Sequence, residues 1–116
     1  MTLLHPFIAR EALADVEFER AAQDARWGEQ NHPDVPAAAL PSVDVRYRHH
    51  LDAEWWKTIN DARVESGNLA WDGVLLEEVY EALAESDPAK LRAELIQVAA
   101  VAVAWVEAID RRTEAA

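Results

Sequence analysis

Glutamates at helical spacing are the residues of this sequence best suited to chemistry. Glu78, Glu81 and Glu85 recur at intervals of three and four residues in the stretch from Trp71 to Glu85. In an α-helix, such intervals bring side chains onto one face, here at the border of the apolar side. Neighbouring carboxylates repel each other, and the repulsion grows as burial removes water. The pattern therefore predicts that a cation binds on this face.

A second acidic element follows after a short break. Glu94 and Gln97 are the polar exceptions in an apolar stretch and lie three residues apart, on one helical face. The turn Ser86-Asp87-Pro88 makes the two helices an antiparallel pair, which can bring that face to the glutamates. Three or four oxygen ligands would then converge, and without nearby His or Cys they suit Mg²⁺ or Mn²⁺.

The alternative interpretation of these acids is the solvated flank of an amphipathic helix. This interpretation fits Glu77 or Glu85 taken alone. It fits Glu78 and Glu81 less well if Glu94 faces them across a tight hairpin, because buried acids are unfavourable unless they are paired or bound to metal.

Apolar periodicity and capping residues predict an all-α fold with four main helices in a single domain, residues 1–116. The predicted helices run from Pro6 to Trp27, from Ser42 or Asp44 to about Glu65, from about Trp71 to Glu85, and from Pro88 to about Arg112. No alternating run of β-branched residues indicates a strand.

Two of these helices carry informative apolar patterns. The apolar side of helix two is marked by Tyr47, Leu51, Trp55, Ile59 and Ala62. Helix four is apolar almost all round from Leu95 to Val106, so it must be covered on several sides. We therefore expect a homo-oligomer, a homodimer or a homotetramer.

A long loop separates helices one and two. The segment Trp27-Gly28-Glu29-Gln30-Asn31-His32-Pro33-Asp34 breaks the helical periodicity, and prolines keep it broken to about Ser42. Loops of this length are usually functional or disordered. The first half of this loop combines an indole with several side chains that donate and accept hydrogen bonds.

Composition narrows the possible partners and location. The chain has a net charge of −11, which disfavours nucleic-acid polymers and anionic membrane surfaces, although a small anion can bind together with a divalent cation. Without cysteine it has no disulfide or thiolate metal site, and its first residues lack a signal-peptide pattern. Its longest apolar run is too short to span a bilayer. We expect a soluble, cytoplasmic protein.

The acidic motifs resemble a known family. Glu77-Glu78-Val79-Tyr80-Glu81 followed by Glu94-Leu95-Ile96-Gln97 is similar to the Glu-Glu-x-x-Glu … Glu-x-x-Asp signature of the MazG-like, all-α nucleotide pyrophosphohydrolases. The segment from Trp27 to Pro33 resembles a branch of that superfamily seen in actinobacteria and their phages.

The resemblance implies an oligomeric helical bundle that hydrolyses nucleoside triphosphates to monophosphate and pyrophosphate with Mg²⁺. By position, the implied metal ligands are Glu78, Glu81, Glu94 and Gln97. Glu77 would be a supporting carboxylate, and either Glu77 or Glu81 would orient the attacking water. Gln97 departs from the family pattern, which has Asp at this position. An amide brings no charge and cannot act as a base.

Substrate recognition calls for flat apolar surfaces, polar edges and a cation for the phosphates. Aromatic candidates for stacking on the base are Trp27, Trp71 and one of Trp55 and Trp56. Candidates for reading its edge are Gln30, Asn31 and His32. Candidate phosphate ligands are Lys57, Arg63, Lys90 and Arg92, among which sequence does not choose. The alternatives are core packing for each tryptophan and a loop-structuring role for His32, while His49-His50 is typical of a helix surface.

The rival function is not enzymatic. A catalytically degenerate homologue would keep the helical scaffold and act as an interaction or nucleotide-binding module. Gln97 is the residue that supports this alternative.

Overall fold

Four helices form the described chain, as the sequence predicts. The computed structural model describes the backbone of residues 6–36 and 44–115, and side chains within residues 11–36 and 44–113. The helices are α1 (Pro6–Trp27), α2 (Val45–Ser66), α3 (Trp71–Ala84) and α4 (Pro88–Ala115). Within those described ranges there is no strand. The all-α prediction is therefore confirmed.

The helix ends lie where capping residues predict them. Asp44 caps α2, because its side chain accepts a hydrogen bond from the backbone N–H of Tyr47 at 3.2 Å. The alternative cap, Ser42, lies outside the described residues. Gly67 ends α2 with a φ of 74°, a left-handed conformation that glycine adopts without steric penalty. Asp87 accepts from the backbone N–H of Lys90 at 3.0 Å at the start of α4.

Helix α2 packs along α3, and the rings of His49 on α2 and Tyr80 on α3 stack with their centroids 5.9 Å apart. The buried residues are Ala53 and Asn60 on α2, and Gly73 and Ala82 on α3. Ala53 and Asn60 lie seven residues apart and therefore share a face. Small residues at this contact let the two helix backbones approach closely enough for a side chain of one to bond the backbone of the other.

Much of the predicted apolar side of α2 is exposed, although Ile59 is half-buried. Tyr47, Leu51 and Trp55 are 59%, 42% and 61% exposed. The neighbouring indole of Trp56 is half-buried, with the Arg63 guanidinium 5.7 Å from its ring centroid. The two adjacent tryptophans therefore have different environments.

The chain forms two compact units. One contains α1, the residues up to Asp34 and the part of α4 from Val103 onward; the other extends from Val35 to Ala102. The second unit contains α2, α3 and the first half of α4, and with them all the acidic residues of the motifs. Among the described residues, no helix is long and apolar enough to cross a membrane.

Candidate metal centre

Three glutamates from two helices converge in the second unit. Glu78 and Glu81 lie on α3 and Glu94 lies on α4, and one carboxylate oxygen of each is within 4.8 Å of the other two. All three residues are half-buried. The tight turn before Pro88 folds α4 back onto α3, so residues 13 and 16 positions apart in sequence become neighbours. This is the juxtaposition that the hairpin predicts.

Two oxygens of this glutamate cluster lack a protein partner. In the described part of the chain, Oε2 of Glu78 and Oε2 of Glu94 are buried and accept no hydrogen bond. A buried, unbonded carboxylate oxygen is unfavourable. Ligand oxygens lie about 2.1 Å from Mg²⁺, so two of them on one ion are at most about 4.2 Å apart. The carboxylate oxygens, within 4.8 Å of one another, lie close to this range, and hard oxygen donors of this kind fit Mg²⁺ or Mn²⁺.

The electrostatics of the cluster favour bound positive charge. Burial raises the pKa of Glu81 to about 7, and the charges of Glu78, Glu77 and Glu94 add to the increase, as does a side-chain hydrogen bond with Glu77. Burial, followed by the charges of Glu94 and Glu77, also raises the pKa of Glu78. Each raised pKa means that the carboxylate form is destabilised here. A bound cation would remove that penalty.

Glu77 lies beside the cluster and is held from α2. Its Oε1 accepts a hydrogen bond from Nδ2 of Asn60 at 2.9 Å, and the same Nδ2 donates to the carbonyl of Gly73 at 2.9 Å. The sequence prediction included Glu77 as a supporting carboxylate but missed Asn60. One signal was available, because Asn60 lies seven residues after Ala53 and so on the same helical face. It was missed because apolar periodicity takes no account of polar residues.

A cavity of about 260 Å³ lies next to the cluster. Glu81 and Glu94 form part of its wall, and Lys57 and His50 of α2 also line it. Of the four basic residues that the sequence offers as phosphate ligands, Lys57 is the one that lines this cavity. Arg63 instead pairs with Asp72 through a contact of 2.7 Å. The structure thus places one cation beside the glutamates.

Gln97 has a different environment from the three glutamates. It lies one turn beyond Glu94 on α4 and is exposed. Its predicted role as a fourth metal ligand stays a prediction. The convergence of acidic side chains involves Glu78, Glu81 and Glu94 alone among the described His, Cys, Asp and Glu residues.

The candidate residues of the long loop belong to the other compact unit. Trp27 ends α1, is 55% exposed, and has the Arg26 guanidinium 4.9 Å from its ring centroid. Gln30 lines a polar cavity of that unit, Asn31 donates to Glu29 at 3.0 Å, and His32 is exposed. Their role in reading a base stays a prediction, and loop residues 37–43 lie outside the described chain.

Trp71 is the candidate stacking residue nearest in sequence to the glutamates. It is the first residue of α3 and is half-buried. Glu78 follows two turns later on the same helix, so both residues are on one rigid element of the second unit. Its contact with a base also stays a prediction.

Comparison with known proteins adds no family assignment, because no protein-family model, curated protein or solved structure matches the chain. The resemblance to the MazG-like pyrophosphohydrolases therefore depends on the acidic motifs and the loop alone.

Proposed function

We propose that this protein is a Mg²⁺-dependent hydrolase that converts a nucleoside triphosphate to the monophosphate and pyrophosphate. The observation that carries the proposal is the convergence of Glu78, Glu81 and Glu94, with two buried oxygens that accept no hydrogen bond from the described residues. Hard oxygen ligands of this kind suit Mg²⁺, which usually binds proteins through a few carboxylates and completes its shell with water and substrate phosphates. The resemblance of the motifs to the MazG-like signature supplies the substrate class.

In this proposal, Glu78, Glu81 and Glu94 hold the metal, which when bound neutralises charge on the triphosphate. Lys57 lines the adjacent cavity and binds a phosphate oxygen with its ammonium group. The triphosphate is accepted despite the net charge of −11 because cationic groups then face it locally.

Glu77 is the best candidate for orienting the attacking water. It lies next to the cluster without belonging to it, so its carboxylate need not be occupied by a metal. The water oxygen forms a bond to the α-phosphorus as the bond from that phosphorus to the leaving pyrophosphate breaks, and the water transfers a proton to the Glu77 carboxylate, which releases it to solvent. A carboxylate that accepts a hydrogen bond from this water favours the attack.

Product analysis tests the proposed function directly. Canonical and modified nucleoside triphosphates are incubated with the protein and Mg²⁺ or Mn²⁺, and products are separated by ion-exchange chromatography. The expected products are pyrophosphate and the monophosphate in equal amounts, dependent on the metal. Release of orthophosphate with the diphosphate, or no product from any substrate, would reject the proposal.

The same assay also tests the rival function, a nucleotide-binding module that does not hydrolyse its ligand. Gln97 is exposed and uncharged where the family signature has an aspartate, so three carboxylates stand where four acidic ligands are expected. A nucleotide-binding module without turnover would bind Mn²⁺ and a triphosphate yet form no product. If the variant Gln97→Asp then hydrolysed the triphosphate, the absence of a carboxylate at residue 97 would account for the inactivity of the wild-type protein.

We expect Lys57→Ala to raise KM by about tenfold with little change in kcat. A hydrogen bond to a charged group contributes roughly 1.5 kcal/mol or more, and tenfold in affinity corresponds to about 1.4 kcal/mol. The matched control is Lys90→Ala, which removes the same charge from an exposed position on α4. Steady-state kinetics of both variants test the assignment, and equal KM values for the two variants would refute it.

Association of several copies is also part of the proposal. Leu95 and Ile96 on α4 are 49% and 53% exposed, and Phe18 on α1 is 78% exposed. Burial of such side chains against a second copy would contribute favourably to association. The dimer or tetramer that the sequence predicts would cover these side chains. The cytoplasmic location that the sequence predicts also remains a prediction.

A further inference from the structure

Asn60 is the single buried polar residue among the described side chains, with 7% of its surface exposed. Burial of an amide is unfavourable unless its hydrogen-bonding groups are satisfied. Nδ2 donates to the Gly73 carbonyl and to Oε1 of Glu77, each at 2.9 Å, whereas Oδ1 is buried and accepts no hydrogen bond from the described residues. The buried amide of Asn60 therefore binds one backbone carbonyl and one carboxylate of α3.

The orientation of this amide is fixed by its surroundings. If the amide were turned over, Oδ1 would face two acceptors, the Gly73 carbonyl and the Glu77 carboxylate, and both hydrogen bonds would be lost. The Asn60 side chain also lies so close to α3 that a Cβ at residue 73 would overlap its Oδ1. Glycine at position 73 therefore lets Asn60 lie against the backbone of α3.

We propose that Asn60 is a positioning residue that holds the Glu77 carboxylate at the edge of the glutamate cluster. Oε1 of Glu77 is bound to Asn60, which leaves the other carboxylate oxygen for Glu81 or for water. The Gly73 carbonyl anchors the amide, so the orientation of Glu77 is set from α2 as well as by its own rotamer. The catalytic consequence depends on the proposed function, whereas the orientation of Glu77 does not.

A residue that only stabilised the contact between α2 and α3 would not affect the position of Glu77. The Arg63–Asp72 ion pair at 2.7 Å is a second interaction between these helices, and it does not include the glutamates of the cluster. Arg63→Ala is therefore the matched control for a general loosening of the α2–α3 contact. Both variants should lower Tm, but only loss of Asn60 should disturb Glu77.

The first test is a crystal structure of Asn60→Ala beside one of Arg63→Ala. We expect the Glu77 side chain to leave its rotamer or to occupy several rotamers in Asn60→Ala and to stay in place in Arg63→Ala. If Asn60→Ala does not fold, Asn60→Ser takes its place, because its shorter side chain cannot bond both acceptors. A Glu77 side chain that keeps its rotamer without Asn60 would overturn the proposal, whether or not the protein hydrolyses triphosphates.

The second test is a double-mutant cycle on kcat and on Mn²⁺ affinity measured by calorimetry. Loss of a partner that orients groups at a metal site typically lowers affinity or activity by about 10- to 100-fold. We expect Asn60→Ala to lower kcat by about tenfold with KM unchanged, and to have no further effect in a Glu77→Ala background. Equal losses in both backgrounds, in kcat or in Mn²⁺ affinity, would show that Asn60 does not act through Glu77. Absence of hydrolysis in the wild-type protein would count against the proposed function alone, because the rotamer of Glu77 is measured independently.

Discussion

Glu78→Gln is expected to abolish the Mn²⁺-induced rise in Tm and to lower kcat/KM by at least ~100-fold, which corresponds to about 2.7 kcal/mol of lost transition-state stabilisation. The variant keeps the size of the side chain and removes its charge. Oε2 of Glu78 is buried without a partner in the described chain, so in the proposed site it has no other role than to face a cation. Thermal melts with and without Mn²⁺, followed by product analysis, measure both effects.

The control for Glu78→Gln is Asp61→Asn, which removes one negative charge from an exposed position of the same compact unit. Its Mn²⁺-induced rise in Tm should equal that of the wild-type protein. If Glu78→Gln kept the full rise, or if both variants lost it equally, general attraction of cations to an acidic protein would explain the binding and the site would be rejected.

The stability of the metal-free protein is expected to fall as pH rises from about 4.5 to about 7. The ordinary pKa of a glutamate is 4.5, whereas the folded-state pKa of Glu81 is raised to about 7. Between these values the folded state binds more protons than the unfolded state, so removing protons favours unfolding. The raised pKa of Glu78 acts in the same direction. Chemical denaturation at a series of pH values with a chelator present measures the slope.

Saturating Mn²⁺ should reverse this dependence, because the metal competes with protons for the same carboxylates. The metal-induced gain in unfolding free energy should therefore grow from pH 5 to pH 7. Glu81→Gln should flatten the metal-free slope in this window, which separates the cluster from the general repulsion of a chain with a net charge of −11. A metal-free stability that rises with pH here would contradict the environment assigned to Glu81.

Sequence patterns predict the helix ends well because local chemistry determines them. The Asp44 side chain caps α2 through a backbone N–H three residues away, and Gly67 ends it through its own backbone conformation. Asp87 bonds the N–H of Lys90 within the first turn of α4. Each of these interactions involves residues close in sequence, so no knowledge of the tertiary fold is needed to expect them.

The face that α2 turns to α3 could not be predicted from apolar periodicity. The buried residues of the two helices are Ala53 and Asn60 on α2, and Gly73 and Ala82 on α3, all of them small or polar. Tyr47, Leu51 and Trp55, which dominate the apolar pattern of α2, are exposed instead. Close helix packing of this kind depends on side chains that leave room and make hydrogen bonds, and neither property contributes to a hydrophobic pattern.

The acidic residues of the candidate site could be predicted from the sequence, but the residues that support them could not. The three-residue spacing of Glu78 and Glu81, with the tight turn between α3 and α4, suffices to place Glu94 beside them. Asn60 comes from another helix, and only the packing of α2 on α3 shows that its amide reaches Glu77. The choice of Lys57 among four basic residues likewise requires the cavity that it lines.

Anomalous diffraction from crystals soaked in Mn²⁺ tests the central claim most directly, because it locates the ion without reference to activity. We predict an anomalous difference peak between the carboxylates of Glu78, Glu81 and Glu94, within about 2.3 Å of one oxygen of each. Ordered carboxylates with no peak between them at saturating Mn²⁺ would contradict the claim that these three glutamates form a metal centre.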